Sequence, residues 1–243
     1  MIALTVVDDA EAAARLCAER VAAAIEQARA ARGGAHVAVA GGSTPARTYE
    51  LLAELMTDWR NVHLWFGDER CVPLDHPDSN HLLLTRTLLD RLPADRAQPM
   101  VHAVTRAGDG DPPAAAAAYE RALRASVSDA AGTRDGLPVL DMVLLGLGED
   151  GHTASLFPDD PVLTERERLV VAVRGSKPPP DRVTFTLPLL RAGRAIVVLT
   201  AGAGKADAVR ATLAGPSAHT PASLLGEGAA VELIADRAAA AAP

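Results

Sequence analysis

One histidine of this chain stands in a setting that suits proton transfer. His152 lies in the glycine-rich stretch GLGEDGHTASLFP, directly after an apolar run at 140–145 that predicts a buried strand. A neutral imidazole can take a proton from water and pass it to a leaving group, so this position predicts a general base. Asp150, two residues earlier, is one carboxylate suited to orient the ring. The alternative is a structural histidine, but its polar flanks at a strand end are not typical of a core position.

Three consecutive charged residues, Asp68, Glu69 and Arg70, follow the apolar run at 62–66. Charged side chains directly after a buried strand do not suit a core. We expect Asp68 to be a second candidate for orienting His152. We expect Arg70 to hold an anion, because a guanidinium can grip two phosphate oxygens at once. The alternative is a solvated charged turn, and this applies above all to Glu69.

The stretch GGSTP predicts a phosphate site. It follows a predicted strand at 36–40, and Thr44 and Pro45 are expected to serve as the cap and first turn of a helix. Free N–H groups at Gly42, Ser43 and Thr44, together with the positive end of the helix dipole, suit a bound anion. The alternative is an ordinary capped turn.

A second glycine-rich turn, AGAGKADAV, follows the predicted strand at 195–200 and places Lys205 at the start of a helix. A cation there opposes the helix dipole, so its position is better explained by an anion that binds beside it. We therefore predict that Lys205 contributes to an anion site.

Known cofactor and metal patterns do not fit the chain. In AGAGKA, Ala206 replaces the hydroxyl residue that holds magnesium in a nucleotide-binding P-loop. GLGEDG has the spacing of a dinucleotide motif, but Pro158 cuts short the helix that motif requires. An acidic metal cluster of Asp68 with Asp75 and Asp78 matches no standard loop spacing. We expect no cofactor and no metal.

The elements that position these residues alternate in type along the chain. Short β-branched runs alternate with longer alanine- and leucine-rich stretches, which is typical of an α/β, doubly wound, mostly parallel sheet covered by helices. Ligands of such sheets bind beyond the carboxyl ends of the strands, where all four stretches lie. Strands are predicted at 2–7, 36–40, 62–66, 100–104, 140–145, 169–173, 182–187, 195–200 and 230–235.

Domain organisation is simple. The chain has 243 residues and no linker is evident, so we predict a single domain over 1–237 with a frayed tail at 238–243. The segments rich in proline and glycine, at 107–113, 132–138 and 175–180, are short enough to be loops within that domain.

Charge and composition exclude several function classes. The chain has 31 acidic and 24 basic residues, a formal charge of −7, which argues against nucleic acid or an anionic membrane as a partner. No apolar run reaches the ~18 residues of a membrane span, and the N-terminus lacks the features of a targeting peptide. The two cysteines, Cys17 and Cys71, have no metal-ligand spacing, so we expect a reducing, cytoplasmic location.

Together these stretches resemble the 6-phosphogluconolactonase family. The resemblance covers about 41–225 and rests on GGSTP, on FGDERCVP followed by DSNHLLL, on LLGLGEDGHTASLFP, and on RVTFTLPLL followed by AGAGKADAV. It implies the three-layer α/β fold shared with glucosamine-6-phosphate deaminases and ribose-5-phosphate isomerases. It also implies hydrolysis of 6-phospho-D-glucono-1,5-lactone, a sugar-phosphate lactone, in the oxidative pentose phosphate pathway.

The resemblance assigns roles to the residues above. His152 would activate water, with Asp150 or Asp68 orienting its imidazole, and a lactone reactive enough to hydrolyse unaided needs no metal or covalent nucleophile. The substrate phosphate would be held by Gly42, Ser43, Thr44, Arg70 and Lys205, and by Arg182 or else Arg174. We expect a monomer or a weak homodimer.

Two alternatives belong to other classes. A deaminase of the same superfamily has a similar Asp-Gly-His turn, but there a glutamate follows the histidine, whereas residues 154–158 are ASLFP. A non-catalytic sugar-phosphate sensor would normally be joined to a helix-turn-helix region. None is visible, because the first predicted strand begins at Ile2, and a sensor would have no need of the Asp-Gly-His turn.

Overall fold

A computed structural model describes residues 1–104, 110–130, 133–134 and 136–241. The strands are β1 Ile2–Val7, β2 Ala35–Val39, β3 Val62–Phe66, β4 Asp68–Arg70, β5 Met100–His102, β6 Thr133–Arg134, β7 Leu137–Pro138, β8 Met142–Gly146, β9 Val170–Arg174, β10 Asp181–Phe185, β11 Ala195–Thr200 and β12 Val231–Asp236. The α-helices are α1 Ala10–Arg32, α2 Ser43–Leu55, α3 Asn80–Thr87, α4 Pro112–Ala130, α5 Leu187–Ala192 and α6 Ala206–Leu213.

The central sheet has seven strands in the order β1-β12-β11-β8-β2-β3-β5. Every neighbouring pair in it is parallel, and helices flank it, which confirms the predicted α/β fold. From β2 the chain winds outward to β3 and β5, whereas β8, β11 and β12 lie on the other side of β2. The winding direction therefore reverses between β2 and β8, and such a switch point opens a crevice at the carboxyl ends of the strands.

The predicted strands at 169–173 and 182–187 do not join the central sheet. As β9 and β10 they form a three-stranded antiparallel sheet with β4. The reason is the length of the connection, because residues 175–180 are too few for a crossover between parallel strands. The charged triplet at 68–70, expected in a loop, is the edge strand of this second sheet.

The first helix shows how local sequence sets the element boundaries. The Asp9 carboxylate accepts a hydrogen bond from the N–H of Ala12 at 2.8 Å and so caps α1. The helix ends at Arg32, where Gly33 takes the left-handed conformation that stops a helix. Its buried face includes Val21 and Ile25, and packs against the central sheet.

The predicted loops and tail lie only partly in the described residues. In the loop predicted at 107–113, residues 107–109 are outside them, and Pro112 already begins α4. In the loop predicted at 132–138, residues 132 and 135 are outside them, and β6 pairs with β7. The tail predicted to be frayed packs at Ala239, which is fully buried, and residues 242–243 are outside the described part. Among the described helices none has the length and apolarity needed to cross a bilayer.

Three imidazoles stack beside a tryptophan across β2, β3 and β5. The rings of His36 and His63 lie 4.4 Å apart, and His63 Nδ1 is 2.9 Å from His102 Nε2. Trp65 stacks on His102 at 3.7 Å and donates its indole N–H to His36 Nδ1. Burial and the neighbouring imidazoles lower the pKa of His36 to about 3 and that of His102 to about 4, and burial also lowers the pKa of His63.

We predict that this imidazole stack makes folding sensitive to mild acid. In the unfolded chain these histidines take up protons below pH ~6.5, whereas the folded chain resists protonation down to about pH 3–4, so stability is complete above 6.5 and falls below it. For His36, which is 1% exposed, the loss is about 1.4 kcal/mol per pH unit. Urea unfolding between pH 8 and 5 measures this loss of unfolding free energy, because most carboxylates titrate below that range.

A His36→Asn substitution tests the assignment, and His219→Gln is its control because His219 is exposed. The dependence of the free energy of unfolding on pH should become shallower in the first variant and stay unchanged in the second. Equal slopes in all three proteins would show that the stack is not the source.

Candidate active site

A cavity of about 280 Å³ opens at the carboxyl ends of β2, β8 and β11, at the switch point of the central sheet. It brings together all the residues predicted for the site except Asp150, which contacts the site through His152. The predicted residues that line it are Gly42, Ser43, Thr44, Asp68, Arg70, His152, Arg182 and Lys205. Five separate stretches of sequence therefore converge on one cavity.

The imidazole of His152 is held by Asp150. Its Nδ1 lies 2.5 Å from the Asp150 carboxylate. Burial opposes ionisation of Asp150, but the hydrogen bonds with His152, the charge of that imidazole and, least of these, the charge of Lys177 outweigh it and lower the pKa of this carboxyl. An ionised Asp150 favours a proton on Nδ1, which leaves Nε2 as the nitrogen with a free lone pair. The pair thus has the arrangement of a general base with its orienting carboxylate.

The turn that carries this pair has no space for a side chain at Gly148. A methyl group added there would lie 2.0 Å from His152 Nδ1 and 2.5 Å from the Asp150 carboxylate. The Gly148 N–H also donates to the carbonyl of His152 at 2.8 Å. The glycine therefore lets the backbone pass directly beneath the imidazole.

Asp68, the other candidate for orienting His152, has different partners. Its carboxylate accepts a hydrogen bond from the Ser155 hydroxyl at 2.6 Å and lies 3.9 Å from Arg182 Nη1. It is buried and lines the cavity. Asp150 is therefore the carboxylate that contacts the imidazole, and Asp68 belongs to the neighbouring wall.

Glu69 is not part of a solvated turn, so this alternative is wrong for it. The side chain is 1% exposed, and burial raises its pKa against the effect of its backbone hydrogen bonds. The carboxylate accepts hydrogen bonds from the N–H groups of Arg70, Asn80 and His81 and from the Ser79 hydroxyl. Glu69 thus holds the start of α3 against β4 and fixes the backbone of Arg70.

The helix after the first glycine-rich turn begins two residues earlier than predicted. Ser43 is the first residue of α2, Gly42 is its cap with φ 95°, and Thr44 is not the capping residue. This φ is one that side chains rarely adopt, which explains the glycine. No side chain caps this helix start, so the first N–H groups are available for an anion.

The two arginines of the cavity differ in their free donors. Arg70 Nη1 donates to the carbonyl of Asp78 at 2.7 Å, and its buried Nε has no partner among the residues described. Arg182 is 5% exposed, and its Nε and Nη2 donate to the carbonyls of Pro179 and Lys177. Arg174, the alternative to Arg182, is exposed, pairs with Asp181 and does not line the cavity.

Comparison with known proteins agrees with this arrangement. The pattern of the family described as "Glucosamine-6-phosphate isomerases/6-phosphogluconolactonase" matches residues 8–234. The chain belongs to this family. Its 6-phosphogluconolactonase relatives include one from Streptomyces coelicolor, 41% identical over 222 residues that cover 87% of this chain and 83% of the relative.

Further members of the family show similar agreement. A 6-phosphogluconolactonase from Synechocystis is 42% identical over 185 residues, which are 76% of this chain and 74% of that protein. The solved structure of 6-phosphogluconolactonase from Trypanosoma cruzi superposes with a TM-score of 0.86 at 27% identity, and the match covers 99% of this chain and 96% of that one.

Sequence reasoning missed one residue of the site in this family member. Lys177, in the loop between β9 and β10, lines the same cavity as His152 and Lys205. A signal was present, because Lys177 and Lys205 are the only lysines in the chain. Lys177 is far along the sequence from every strand end of the central sheet, so its position did not predict a place in the site.

Proposed function

We propose that the chain hydrolyses 6-phospho-D-glucono-1,5-lactone to 6-phospho-D-gluconate in the oxidative pentose phosphate pathway. The observation that carries the proposal is that the Asp150–His152 pair opens on the same cavity as the uncapped start of α2 and Lys205. One end of the cavity can therefore activate water while the other binds a phosphate. The names of the relatives support the same activity.

The proposed reaction needs one base. His152 Nε2 takes a proton from water as the water oxygen attacks C1 of the lactone, and the carbonyl electron pair moves to the exocyclic oxygen. That pair then returns, the bond between C1 and the ring oxygen breaks, and the imidazolium gives its proton to the ring oxygen. Asp150 stabilises the charged imidazole between the two steps, so no metal or covalent nucleophile is required.

Phosphate recognition is the second part of the proposal. The N–H groups of Gly42, Ser43 and Thr44 are suited to phosphate oxygens, and Lys205 Nζ, which now donates to the Leu147 carbonyl at 2.9 Å, supplies a point charge. Arg70 lines the same cavity and adds the charge of its guanidinium. Arg182 contributes less than its sequence position predicts, because two of its nitrogens already serve backbone carbonyls.

Isomerisation with loss of ammonia, the other activity in the family description, is less well supported. Residues 154–158 after His152 supply no carboxylate. Instead the ring of Phe157 packs 4.9 Å from the imidazole, and Ser155 binds Asp68. These contacts favour ester hydrolysis.

The test is an assay of freshly prepared lactone in a pH-stat, with the spontaneous rate subtracted. We expect acid release well above the blank and no ammonium release from glucosamine 6-phosphate. A sugar-phosphate sensor would bind 6-phosphogluconate without turnover, and that result would contradict the proposal.

The cellular setting is also part of the proposal. Cys17 and Cys71 are both free thiols, which suits a reducing cytoplasm. A monomer or weak homodimer that binds a small sugar phosphate, and neither nucleic acid nor membrane, stays a prediction.

A further inference from the structure

Lys177 reaches the active site from outside the central sheet. It lies in the six-residue loop 175–180 between β9 and β10, and it lines the cavity together with His152. The cations that were predicted for the cavity follow a strand of the central sheet or lie within β4 and β10. Lys177 therefore needs its own explanation.

The loop that carries Lys177 is fixed at several points. Arg182 Nη2 donates to the Lys177 carbonyl at 3.2 Å, and Arg182 Nε donates to that of Pro179 at 3.1 Å. The N–H of Gly175 donates to the Pro180 carbonyl at 2.7 Å, which closes the loop. Three consecutive prolines after Lys177 restrict the backbone further. Arg182 is thus a positioning residue for the backbone of Lys177.

Phe157 places this loop beside the catalytic imidazole. One part of its ring packs against His152, with centroids 4.9 Å apart. Another part faces Gly175, where an added methyl group would lie 2.7 Å from a ring carbon. Lys177, two residues further on, lines the cavity together with His152.

Electrostatics agree with this placement. The charge of Lys177 is one of the influences that lower the pKa of Asp150, alongside the hydrogen bond from His152 and against the effect of burial. Arg182, in contrast, interacts with Arg70 and with the acidic residues of the β4 wall, Asp68, Asp78 and Glu69. The charge of the Lys177 ammonium, although the smallest of these influences, thus acts on Asp150, the carboxylate that holds His152.

We infer that Lys177 is a catalytic residue that donates a hydrogen bond to the exocyclic oxygen on C1 of the substrate. This inference rests on the proposed function. When water adds to C1, that oxygen gains the carbonyl electron pair and a full negative charge, which a nearby ammonium stabilises more than it stabilises the neutral lactone. After the ring opens, the same ammonium faces the carboxylate of the product. Lys177 forms no covalent bond and gives up no proton in this role.

A pair of ligands that differ only at C1 tests the inference without turnover. 6-Phosphogluconate carries a carboxylate there, and glucitol 6-phosphate carries a hydroxymethyl group. By calorimetry we expect Lys177→Gln to weaken the binding of 6-phosphogluconate about tenfold and the binding of glucitol 6-phosphate less than about twofold. Lys205→Gln should weaken both ligands alike. The inference would be overturned if Lys177→Gln weakened the binding of both ligands equally, or if it weakened the binding of neither.

Turnover gives a second readout. We expect kcat of Lys177→Gln to fall about 10- to 100-fold, at the low end of the effect of removing an oxyanion donor because Lys177 is exposed. The acidic limb of the pH profile of kcat should move to higher pH, since a cation near the Asp150–His152 pair is lost. Lys177→Arg should recover part of the rate, and Arg168→Gln, an exposed arginine paired with Glu165, is the control.

The two hypotheses fail in different ways. Absence of lactone hydrolysis by the unaltered protein would overturn the proposed function. An active protein whose Lys177→Gln variant keeps kcat and its pH profile would overturn only the role of Lys177.

Discussion

Replacing His152 with glutamine is expected to lower kcat for lactone hydrolysis by about 10²- to 10⁴-fold, the usual contribution of a positioned general base. The amide can still accept a hydrogen bond from water, but it cannot take up a proton at neutral pH. Affinity for 6-phosphogluconate should stay within a few fold, because the phosphate contacts lie on other elements. A pH-stat assay and calorimetry measure the two quantities separately.

His219→Gln is a matched control for this variant. His219 also pairs with an aspartate, since its Nδ1 lies 2.7 Å from the Asp159 carboxylate, but it is exposed and lies outside the cavity. Its replacement should leave turnover unchanged. Full activity in His152→Gln would mean that another group is the base.

Replacing Gly148 with alanine should have the second largest effect, about 10²-fold in kcat, although Gly148 carries no functional group. The added methyl group would meet His152 Nδ1 at 2.0 Å, so the imidazole must move away from Asp150. A displacement of about 1 Å in a catalytic group is enough for a loss of this size. Steady-state kinetics and a crystal structure of the variant would test both the rate and the displacement.

Gly146→Ala provides the comparison, because it lies in the same segment at the end of β8 and a methyl group there meets nothing within 4 Å. Gly146 also lines the cavity, so its added methyl group can raise KM, but the imidazole keeps its place and kcat should fall far less than in Gly148→Ala. If both alanine variants were equally active, the contact between Gly148 and the imidazole would have no catalytic importance.

Much of the fold follows from sequence periodicity. The strands predicted at 2–7, 62–66 and 195–200 coincide with β1, β3 and β11 residue for residue, because apolar β-branched runs with polar ends define both their type and their limits. The separate antiparallel sheet was not predicted, since β9 and β10 have the same composition as central strands. Only the short connection between them distinguishes the two cases.

The candidate site was predictable where chemistry and strand ends coincide along the chain. His152, Gly42 and Lys205 each lie in the segment that follows a central strand, so their convergence follows from the parallel sheet. The choice between Asp150 and Asp68 depends on side-chain positions that no spacing defines. The burial of Glu69 depends on its contacts with the start of α3, and the place of the Lys177 loop depends on its contacts with Arg182 and Phe157. Spacing along the sequence reveals neither.

The imidazole stack and the catalytic histidine are separated along the direction of the strands. His36 and His63 are each the second residue of their strands, whereas His152 lies beyond the carboxyl end of β8. Acid tolerance of the fold and turnover can therefore be engineered independently. Apolar repacking around Trp65 would extend the range in which the protein stays folded toward low pH without touching the groups that handle the lactone.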